Sequence, residues 1–410
     1  MKEKIYCGLD IGSSKISAVI GGVSEEDRKV NILGVGEAQN SGLKHGVVVN
    51  IDNTTRAICR AVENAEHDSE VKVKDVIVNV NGHYIEGHMH QGATKIPRSD
   101  REITPEDIDR VINSARAVPL SSDKQIIHAI PLDFKVDNQN GVEDPVGMEG
   151  NHLEVDVLLI TGDRAPINNL DKCIIRAGLG VNRIVSTILA PAQTVVADEE
   201  KELGCVLVDI GAQTINMAIF VEGKISFIGE IDIGADFITY DLAHGLRTSF
   251  SEAKRIKETY GCAVNEESLD MEIEYVGVDG QSENVTTIEK VNKIIEPRVE
   301  DIVEFIGEEI SKSGHKQMVP GGIILSGGGA QLKGIEHAIK KNLINYEVRV
   351  GRPRNLKGKV DKVNAPRFST CVGLIEYIVK TDGITGLRNN ATAGKEGFWE
   401  KLKVWFDEIF

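Results

Sequence analysis

Two segments of the 410-residue chain repeat one pattern, in which an apolar run meets Asp-Ile-Gly, passes through small or polar residues and returns to an apolar run. The copies occupy residues 6–20 and 205–219. A strand, a tight glycine turn and a second strand form a hairpin, and the turn places an Asp carboxylate beside exposed backbone N–H groups. Such a turn can hold phosphate oxygens while the carboxylate faces a metal ion through water. The duplicated pattern therefore predicts two related half-molecules that close on one nucleotide.

A third segment adds a glycine turn to this pattern. The apolar run Ile323 to Leu325 predicts a strand that reaches Ser326, passes through three glycines and continues into a helix. A ligand can approach such a turn closely because glycine has no Cβ. One Asp-Ile-Gly turn alone is more typical of an ordinary hairpin than of a ligand site. Two turns in register, followed by the glycine segment, favour a site for nucleotide phosphates.

The composition limits the classes of protein to which the chain can belong. Its 410 residues predict two or more domains, and its formal net charge of −16 argues against a nucleic-acid partner. The six cysteines stand singly, which argues against a zinc site or a disulfide framework. Apolar runs are shorter than a membrane-spanning helix requires, and Asp10 interrupts the first run too early for a signal peptide. We therefore expect a protein of a reducing cytosol.

The repeat predicts an architecture of two related α/β halves, each with an insert. Thr104 and Pro105 predict the start of a helix in the first insert, because Thr is a good N-cap and Pro suits the first helical position. An apolar stripe that includes Phe305 predicts a long amphipathic helix over 288–310. The acidic run at 198–200 is interpreted as a solvated face.

The expected domains follow from this division of the chain. They are 1–82 with 161–197 for the first half, 83–160 for its α+β insert, 198–240 with 300–380 for the second half, 241–299 for the second insert, 381–396 for a linker and 397–410 for a terminal helix.

The C-terminal tail differs in character from the rest. Residues 381–396 are rich in Gly, Asn, Thr and Ala and predict a flexible linker. A helix over 397–410 can pack on the protein's own core, but the preceding linker and the presence of both tryptophans favour an anchor in a membrane surface. The polar face of this helix is net acidic, so apolar insertion has to dominate the binding. Its apolar face would hold Phe398, Trp399, Leu402, Trp405, Phe406, Ile409 and Phe410.

The two hairpins and the glycine segment are similar to the phosphate and adenosine motifs of the actin, Hsp70 and sugar-kinase superfamily. Within it, the chain resembles the FtsA family of bacterial cell-division proteins over essentially its whole length. The insert motifs are the most specific, because they separate this family from actin and from kinases. The segments that carry the resemblance are 8–15, 103–110, 127–131, 144–148, 245–248, 253–257 and 326–332.

The resemblance implies an actin-like fold of two RNase H-like halves, with ATP and Mg²⁺ in the cleft between them. Asp10 and Asp209 would hold the hydrated Mg²⁺. The first hairpin would cradle the β- and γ-phosphates with Gly12, Ser13, Ser14 and Lys15. The second hairpin would bind the other side of the phosphates with Gly211, Ala212 and Thr214. The ribose, α-phosphate and adenine edge would lie against Gly327, Gly328, Gly329, Lys254 and Lys257.

The second hairpin departs from the family at Gln213, where a small residue is usual. A longer side chain there could crowd the γ-phosphate or reach it as a donor. We expect Gln213 to affect hydrolysis more than binding. No residue offers itself as the base that activates water, so the chain is expected to be at most a slow ATPase.

The resemblance also implies partners and a location. FtsA-like proteins polymerise at the cytoplasmic face of the cell membrane and anchor filaments of the tubulin-like protein FtsZ at the division site. Lys293 and Arg298, on the predicted long helix, are candidates to meet the carboxylates of the FtsZ C-terminal peptide. The insert at 83–160 is expected to bind other division proteins. Two alternatives stay open, a PilM-like type IV pilus assembly protein and a small-molecule kinase of the same superfamily.

Overall fold

The computed structural model describes residues 3–24, 26–97, 101–264 and 271–385, with side chains given as far as Thr381. The predicted terminal helix at 397–410 lies outside the described residues. In chain order, the elements as far as residue 203 are β1 (Lys4–Ile11), β2 (Lys15–Val23), β3 (Val30–Gln39), β4 (Leu43–Lys44), β5 (Val47–Val48), α1 (Ile51–Ser69), β6 (Asp75–Val80), β7 (Ile85–Lys95), α2 (Pro105–Arg116), β8 (Lys124–Val136), β9 (Gln139–Val142), β10 (His152–Asp163), α3 (Arg164–Arg176), β11 (Gly180–Ser186), α4 (Leu189–Val195) and α5 (Asp198–Leu203).

The rest of the described chain repeats the strand-rich beginning and ends on a long helix. Its elements are β12 (Cys205–Ile210), β13 (Ile215–Val221), β14 (Lys224–Ile231), α6 (Ala235–Leu246), α7 (Phe250–Tyr260), β15 (Glu272–Val276), β16 (Glu283–Thr287), α8 (Ile288–Lys312), β17 (Ile323–Ser326), α9 (Ile335–Asn342), β18 (Val348–Val350), β19 (Lys357–Gly358) and α10 (Ser369–Thr385).

The predicted hairpins are confirmed as the central strand pairs of two sheets. The first sheet has the order β11-β6-β1-β2-β3-β19, and the second has the order β14-β13-β12-β17-β18. In each hairpin the Asp of the motif lies opposite a polar residue, since Asp10 pairs with Ser17 and Asp209 with Asn216. The strand beside each Asp is parallel, β6 next to β1 and β17 next to β12. The two halves therefore present equivalent carboxylates at equivalent sheet edges.

Helices α4 and α10 fill the space between the two sheets. Their apolar residues form one buried cluster with residues of both sheets, among them Ile77 of β6 and Leu207 of β12. The helices cross closely at Gly373, where a Cβ would lie 3.0 Å from Pro191 N and closer still to Ala190 O. This crossing joins the halves at the base of the cleft that separates them.

The first insert forms a separate antiparallel sheet of order β7-β10-β8-β9, with α2 packed on it. The predicted start of α2 is confirmed, because Thr104 is the N-cap and Pro105 the first helical residue. The Asp107 carboxylate accepts a hydrogen bond from the Thr104 backbone N–H at 2.9 Å. A carboxylate in the first turn also suits the positive end of the helix dipole.

Three details of the structure correct the sequence analysis. Strand β19, placed in the second half by sequence, is the edge of the first sheet, because a two-residue strand has no pattern to reveal its partner. Helix α10 continues to Thr385, into the segment predicted as linker. Phe305 is 40% exposed, because it lies one residue before Ile306 and so is rotated about 100° from the buried stripe of α8.

The acidic run at 198–200 is also more than a solvated face, because it forms the first turn of α5. Glu200 accepts hydrogen bonds from Arg349 at 2.6 Å, and its carboxylate also lies 3.6 Å from Arg354. Lys201, in the same helix, is only 1% exposed and contacts Asp198 at 3.0 Å. Acidic residues at a helix N-terminus are stabilised by the helix dipole, and these also fasten α5 to β18.

A buried histidine fastens the first insert to the rest of the molecule. The Ser186 N–H of β11 donates to His128 Nε2 at 3.0 Å, and the Tyr377 hydroxyl of α10 lies 3.2 Å from His128 Nδ1. A backbone N–H can only donate, so Nε2 is the acceptor and a neutral ring carries its proton on Nδ1. Burial, with Arg183 nearby, lowers the pKa of His128 to about 3.

We expect acid to weaken the fold through His128. The unfolded state binds more protons between pH 6.5, the ordinary pKa of histidine, and pH 3, so the free energy of unfolding falls as the pH drops through that window. The expected loss from His128 is about 2 kcal/mol between pH 7 and pH 5. In urea unfolding at pH 7 and pH 5, the His128→Gln variant should lose less of its free energy of unfolding than the parent chain, by that amount. The exposed His67→Gln is the control, and an equal loss in all three chains would refute the prediction.

Candidate functional site

A cleft of about 1120 Å³ opens between the two halves, and its lining brings the predicted nucleotide residues together. Both Asp-Ile-Gly turns face into it, with the glycine segment after β17 and the helix α7 beside them. The predicted residues that line it are Asp10, Gly12, Ser13, Ser14, Lys15, Asp209, Gly211, Ala212, Gln213, Thr214, Lys254, Lys257, Gly327, Gly328 and Gly329.

Both hairpin turns are closed by the same backbone hydrogen bond. Gly12 N donates to Lys15 O at 3.1 Å, and Gly211 N donates to Thr214 O at 2.9 Å. A Cβ on either glycine would lie within 2.9 Å of the carbonyl oxygen that closes its turn. Each turn therefore requires glycine, as the sequence motif indicates.

The glycine segment after β17 is built around the second hairpin. Gly327 has a φ of +82°, and a Cβ there would lie 2.5 Å from Ile210 O and 2.8 Å from Asp209 Oδ1. Nothing lies within 4 Å of the position a Cβ would take on Gly328. The backbone at Gly327 therefore closes on the hairpin, while the next residue leaves open space for a ligand.

The two motif carboxylates share one electrostatic environment. Burial, with the negative charge of Asp10, raises the pKa of Asp209 to about 7. Burial also raises the pKa of Asp10 to about 6, although Lys15 and a hydrogen bond from Asn79 act in the opposite direction. Asp209 Oδ1 is buried and has no hydrogen-bond partner among the described residues. Two carboxylates, one with an unpaired buried oxygen, fit a hydrated divalent cation, which would relieve their repulsion.

Three lysines that were predicted to contact a nucleotide have different protein partners. Lys15 forms an ion pair with Glu37 of β3 and lies 5.4 Å from the centre of the Phe368 ring. Lys254 reaches the first hairpin, where its Nζ donates to Ser14 Oγ at 3.1 Å. Lys257 is nearly buried, and its Nζ donates to Ala235 O and Thr239 Oγ1, each at 2.8 Å. Lys257 therefore fixes the start of α6, while Lys254 spans the cleft.

Gln213 points across the cleft to the first half. Its Oε1 accepts a hydrogen bond from the His45 backbone N–H at 2.8 Å, in the turn between β4 and β5. The His45 ring in turn contacts Asp232, with Nδ1 and Oδ1 2.6 Å apart. This hydrogen bond to Gln213 thus joins the second half to the first half.

Two more hydrogen bonds continue this seam between the halves. Asn81 Nδ2 donates to Thr214 Oγ1 at 3.1 Å, and Gly82 N donates to Glu230 Oε2 at 2.9 Å. Burial raises the pKa of Glu230 to about 7, and the Gly82 hydrogen bond acts against that shift. The seam lies where the end of β6 meets the second hairpin and β14.

Sequence reasoning missed the polar residues that support the motif carboxylates and the seam. Asn79 lies in the apolar strand β6 and Asn81 directly follows it, and polar residues at the C-terminal end of such a strand are the signal that could have identified them. Asn79 Nδ2 donates to Asp10 Oδ1 at 2.8 Å and to Thr187 Oγ1 at 3.1 Å. His45 and Asp232 come from turns without a motif, so their contact depends on tertiary structure alone.

The two residues predicted to bind a partner peptide lie apart from the cleft, on α8. Lys293 is 63% exposed in its side chain and lies 2.6 Å from Glu289. Arg298 is held by Asp241 at 2.7 Å and by Asp301 at 2.9 Å, and these partners raise its pKa. Arg298 is therefore the more constrained cation.

Comparisons with known proteins agree with this fold. The family described as Cell division protein FtsA matches residues 206–373, and the family described as SHS2 domain inserted in FTSA matches residues 82–161, which contain β7 to β9 and most of β10. The Cell division protein FtsA of Neisseria meningitidis serogroup B is 37% identical, over 100% of this chain and 99% of that protein. This chain belongs to the FtsA family.

Another FtsA protein supports the family assignment, and solved structures bear on the fold. FtsA of Pseudomonas aeruginosa is 35% identical over 99% of this chain and 98% of that protein. A PilM-PilN type IV pilus biogenesis complex has a chain that superposes with a TM-score of 0.67 at 15% identity, covering 91% of this chain and 98% of that one. MreB5 of Spiroplasma citri bound to ADP superposes with a TM-score of 0.53 at 12% identity, covering 94% and 99%. These likenesses show that this FtsA-family chain has the actin-like fold.

Within the described part of the chain, no helix has both the length and the apolar character that crossing a membrane requires.

Proposed function

We propose that this FtsA-family chain binds ATP with Mg²⁺ in the cleft, polymerises at the cytoplasmic face of the membrane and anchors FtsZ filaments at the division site. The observation that carries the nucleotide part is the pair of glycine turns whose carboxylates, Asp10 and Asp209, face one cleft. MreB5 of Spiroplasma citri, a protein of similar fold, has a solved structure bound to ADP. ATP would bridge the two halves and favour the closed arrangement.

Different residues of the cleft would bind the phosphates and the cation. The backbone N–H groups around Gly12 and Gly211 would bind phosphate oxygens, because their turns admit a ligand without a Cβ in the way. Bound Mg²⁺, held through water by Asp10 and Asp209, would supply positive charge against the phosphates. Lys254 would close over the first hairpin, where it already contacts Ser14. We infer at most a slow ATPase, because the sequence offers no residue as the base that activates water.

Replacing Gln213 should loosen the closed cleft. Gln213→Ala removes the hydrogen bond to His45 N, and one such bond contributes about 1 kcal/mol, or about 5-fold in rate. We expect release of a fluorescent ADP, followed by stopped flow, to become about 5-fold faster. Gln139→Ala, on the exposed edge strand of the insert, is the control. Unchanged release from Gln213→Ala would show that the contact does not retain nucleotide.

The membrane part of the proposal rests on the sequence of the tail. We expect a chain truncated before Gly397 to lose co-sedimentation with lipid vesicles, because the apolar face at 397–410 would be gone. In the full chain, Trp405→Glu should abolish binding, and Lys403→Glu on the polar face should have little effect. Equal sedimentation of the truncated and full chains would remove the anchor from the proposal.

Binding of the FtsZ C-terminal peptide is proposed for the surface around Lys293 and Arg298. Lys293 is the more accessible cation, while Arg298 would have to exchange Asp241 or Asp301 for a peptide carboxylate. The Lys293→Glu variant should therefore bind the peptide measurably more weakly, as measured by fluorescence anisotropy. Self-association and the binding of other division proteins by the insert belong to the same proposal.

A further inference from the structure

Asn79 is the residue that connects the first carboxylate to the body of the protein. Asn79 is the penultimate residue of β6, the strand that runs parallel to β1. Its side chain is buried, with only 2% of the residue exposed. Its Oδ1 accepts a hydrogen bond from Ile11 N at 2.7 Å, in the residue after Asp10. Its Nδ2 donates to Asp10 Oδ1 at 2.8 Å and to Thr187 Oγ1 at 3.1 Å. One side chain thus contacts β1 twice and the chain after β11 once.

The direction of each of these hydrogen bonds is fixed by chemistry. Ile11 N–H can only donate, so the amide oxygen of Asn79 must face it and the NH₂ group must face the carboxylate. The Thr187 hydroxyl donates to Val80 O at 3.0 Å, which leaves its oxygen free to accept from Asn79. The amide of Asn79 therefore cannot flip without losing its bonds to Ile11 N–H and to the Asp10 carboxylate.

This arrangement holds the Asp10 carboxylate in one orientation. Oδ1 is occupied by a donor from Asn79, and no donor among the described residues contacts Oδ2. An acceptor role at Oδ1 also favours the ionised carboxylate, since the amide has only N–H to offer there. In the second half no amide contacts the motif carboxylate in this way: Asp209 Oδ1 has no hydrogen-bond partner among the described residues, and the polar side chain beside Asp209 is the Ser326 hydroxyl. The two equivalent carboxylates are thus supported unequally.

We propose that Asn79 is a positioning residue that aims Asp10 at the cation of a bound metal–nucleotide, and that its contribution appears only when the metal is present. This rests on the proposed function, in which Asp10 and Asp209 hold the hydrated cation. Residues that orient a metal-binding group through a hydrogen bond commonly change metal affinity by about 10–100-fold when they are replaced. Asn79 lines the cleft beside Asp10 but is not part of either glycine turn, so we expect binding of the nucleotide without metal to depend on it only weakly.

Two variants separate this role from a merely structural one. Asn79→Ala removes all three bonds and leaves the Ile11 N–H unpaired. Asn79→Asp keeps an oxygen for Ile11 N–H and nearly the same volume, but replaces the donor to Asp10 with a further carboxyl oxygen. Asn140→Asp, on the exposed edge strand β9 of the insert, adds the same charge outside the lining of the cleft and is the control.

The test measures the dissociation constant of a fluorescent ADP for the full chain, in excess Mg²⁺ and again in EDTA. For the parent chain and Asn140→Asp, the ratio of the dissociation constant in EDTA to that in Mg²⁺ should be the same. For Asn79→Ala and Asn79→Asp we expect that ratio to fall at least about 10-fold, while the EDTA value stays within about 2-fold. Thermal unfolding of each variant checks that it is folded.

The outcomes distinguish this inference from the proposal on which it rests. If the parent chain binds ADP with a clear Mg²⁺ dependence and Asn79→Asp keeps that dependence, Asn79 does not position Asp10. If Asn79→Asp weakens the binding of ADP equally in Mg²⁺ and in EDTA, the role of Asn79 is structural and the inference is wrong. If the parent chain shows no Mg²⁺ dependence at all, the proposed cation site itself fails, and the inference fails with it.

Discussion

An Asp209→Asn variant is expected to bind Mg²⁺–ADP at least about 100-fold more weakly than the parent chain and yet to be more stable when no nucleotide is present. Asp209 is 5% exposed, carries an unpaired buried oxygen and is repelled by Asp10. A neutral amide of the same size removes the repulsion, but it cannot offer a charged oxygen to a cation. Function and stability should therefore change in opposite directions.

The stability gain should depend on pH in a defined direction. A carboxyl group whose pKa is raised in the folded state destabilises the fold as the pH rises through the interval between its ordinary and its raised pKa, here 3.8 to about 7. Asp209→Asn removes this loss, so we expect it to gain about 1–2 kcal/mol at pH 8 and less at pH 5.

Isothermal titration in excess Mg²⁺ would measure the affinity, and urea unfolding in EDTA would measure the stability. Asp361→Asn, an exposed carboxylate on the surface, is the control and should change neither quantity. A variant that bound Mg²⁺–ADP as well as the parent chain, or that was less stable at pH 8, would contradict the assignment of Asp209.

Gly373→Ala is expected to destabilise the protein by about 3 kcal/mol, although alanine is the better helix former. The added methyl group would meet backbone atoms of α4, Ala190 O and Pro191 N, which cannot move without separating the two helices. Because α4 and α10 fill the space between the halves, the change should also weaken nucleotide binding.

Gly307→Ala offers a matched comparison inside another helix. Its added methyl group would meet only Leu343 Cδ2, at 3.0 Å, the far end of a flexible side chain. We therefore expect Gly307→Ala to be neutral or to stabilise the protein by about 0.5–1 kcal/mol through helix propensity. Urea unfolding of both variants tests the contrast, and two losses of similar size would show that the α4–α10 crossing is not specially tight.

The features predictable from the sequence are those that depend on local pattern. The two hairpins, the turn after β17, the start of α2 and the long helix α8 were all identified, because glycine turns, caps and apolar periodicity act over a few residues. The residues expected to line one cleft do so, since a duplicated motif implies two sheets with equivalent edges.

The features that sequence reasoning missed depend on contacts between distant segments. Asn79 meets Asp10 because β6 runs parallel to β1, and no local pattern reveals which strand is the neighbour. Gln213 was predicted to crowd the γ-phosphate or to reach it as a donor, and no local pattern reveals that its Oε1 accepts a hydrogen bond from the His45 N–H. Phe305 was placed in the stripe of α8 because it is apolar, although its helical position turns it outward.

The most direct measurement is a crystal structure of the full chain grown with Mg²⁺ and a non-hydrolysable ATP analogue. We expect the triphosphate between the turns at Gly12 and Gly211, the cation on the side of Asp10 and Asp209, and the Asn79 hydrogen bond to Asp10 intact. A nucleotide bound away from these two hairpins would contradict every site assignment made for the cleft.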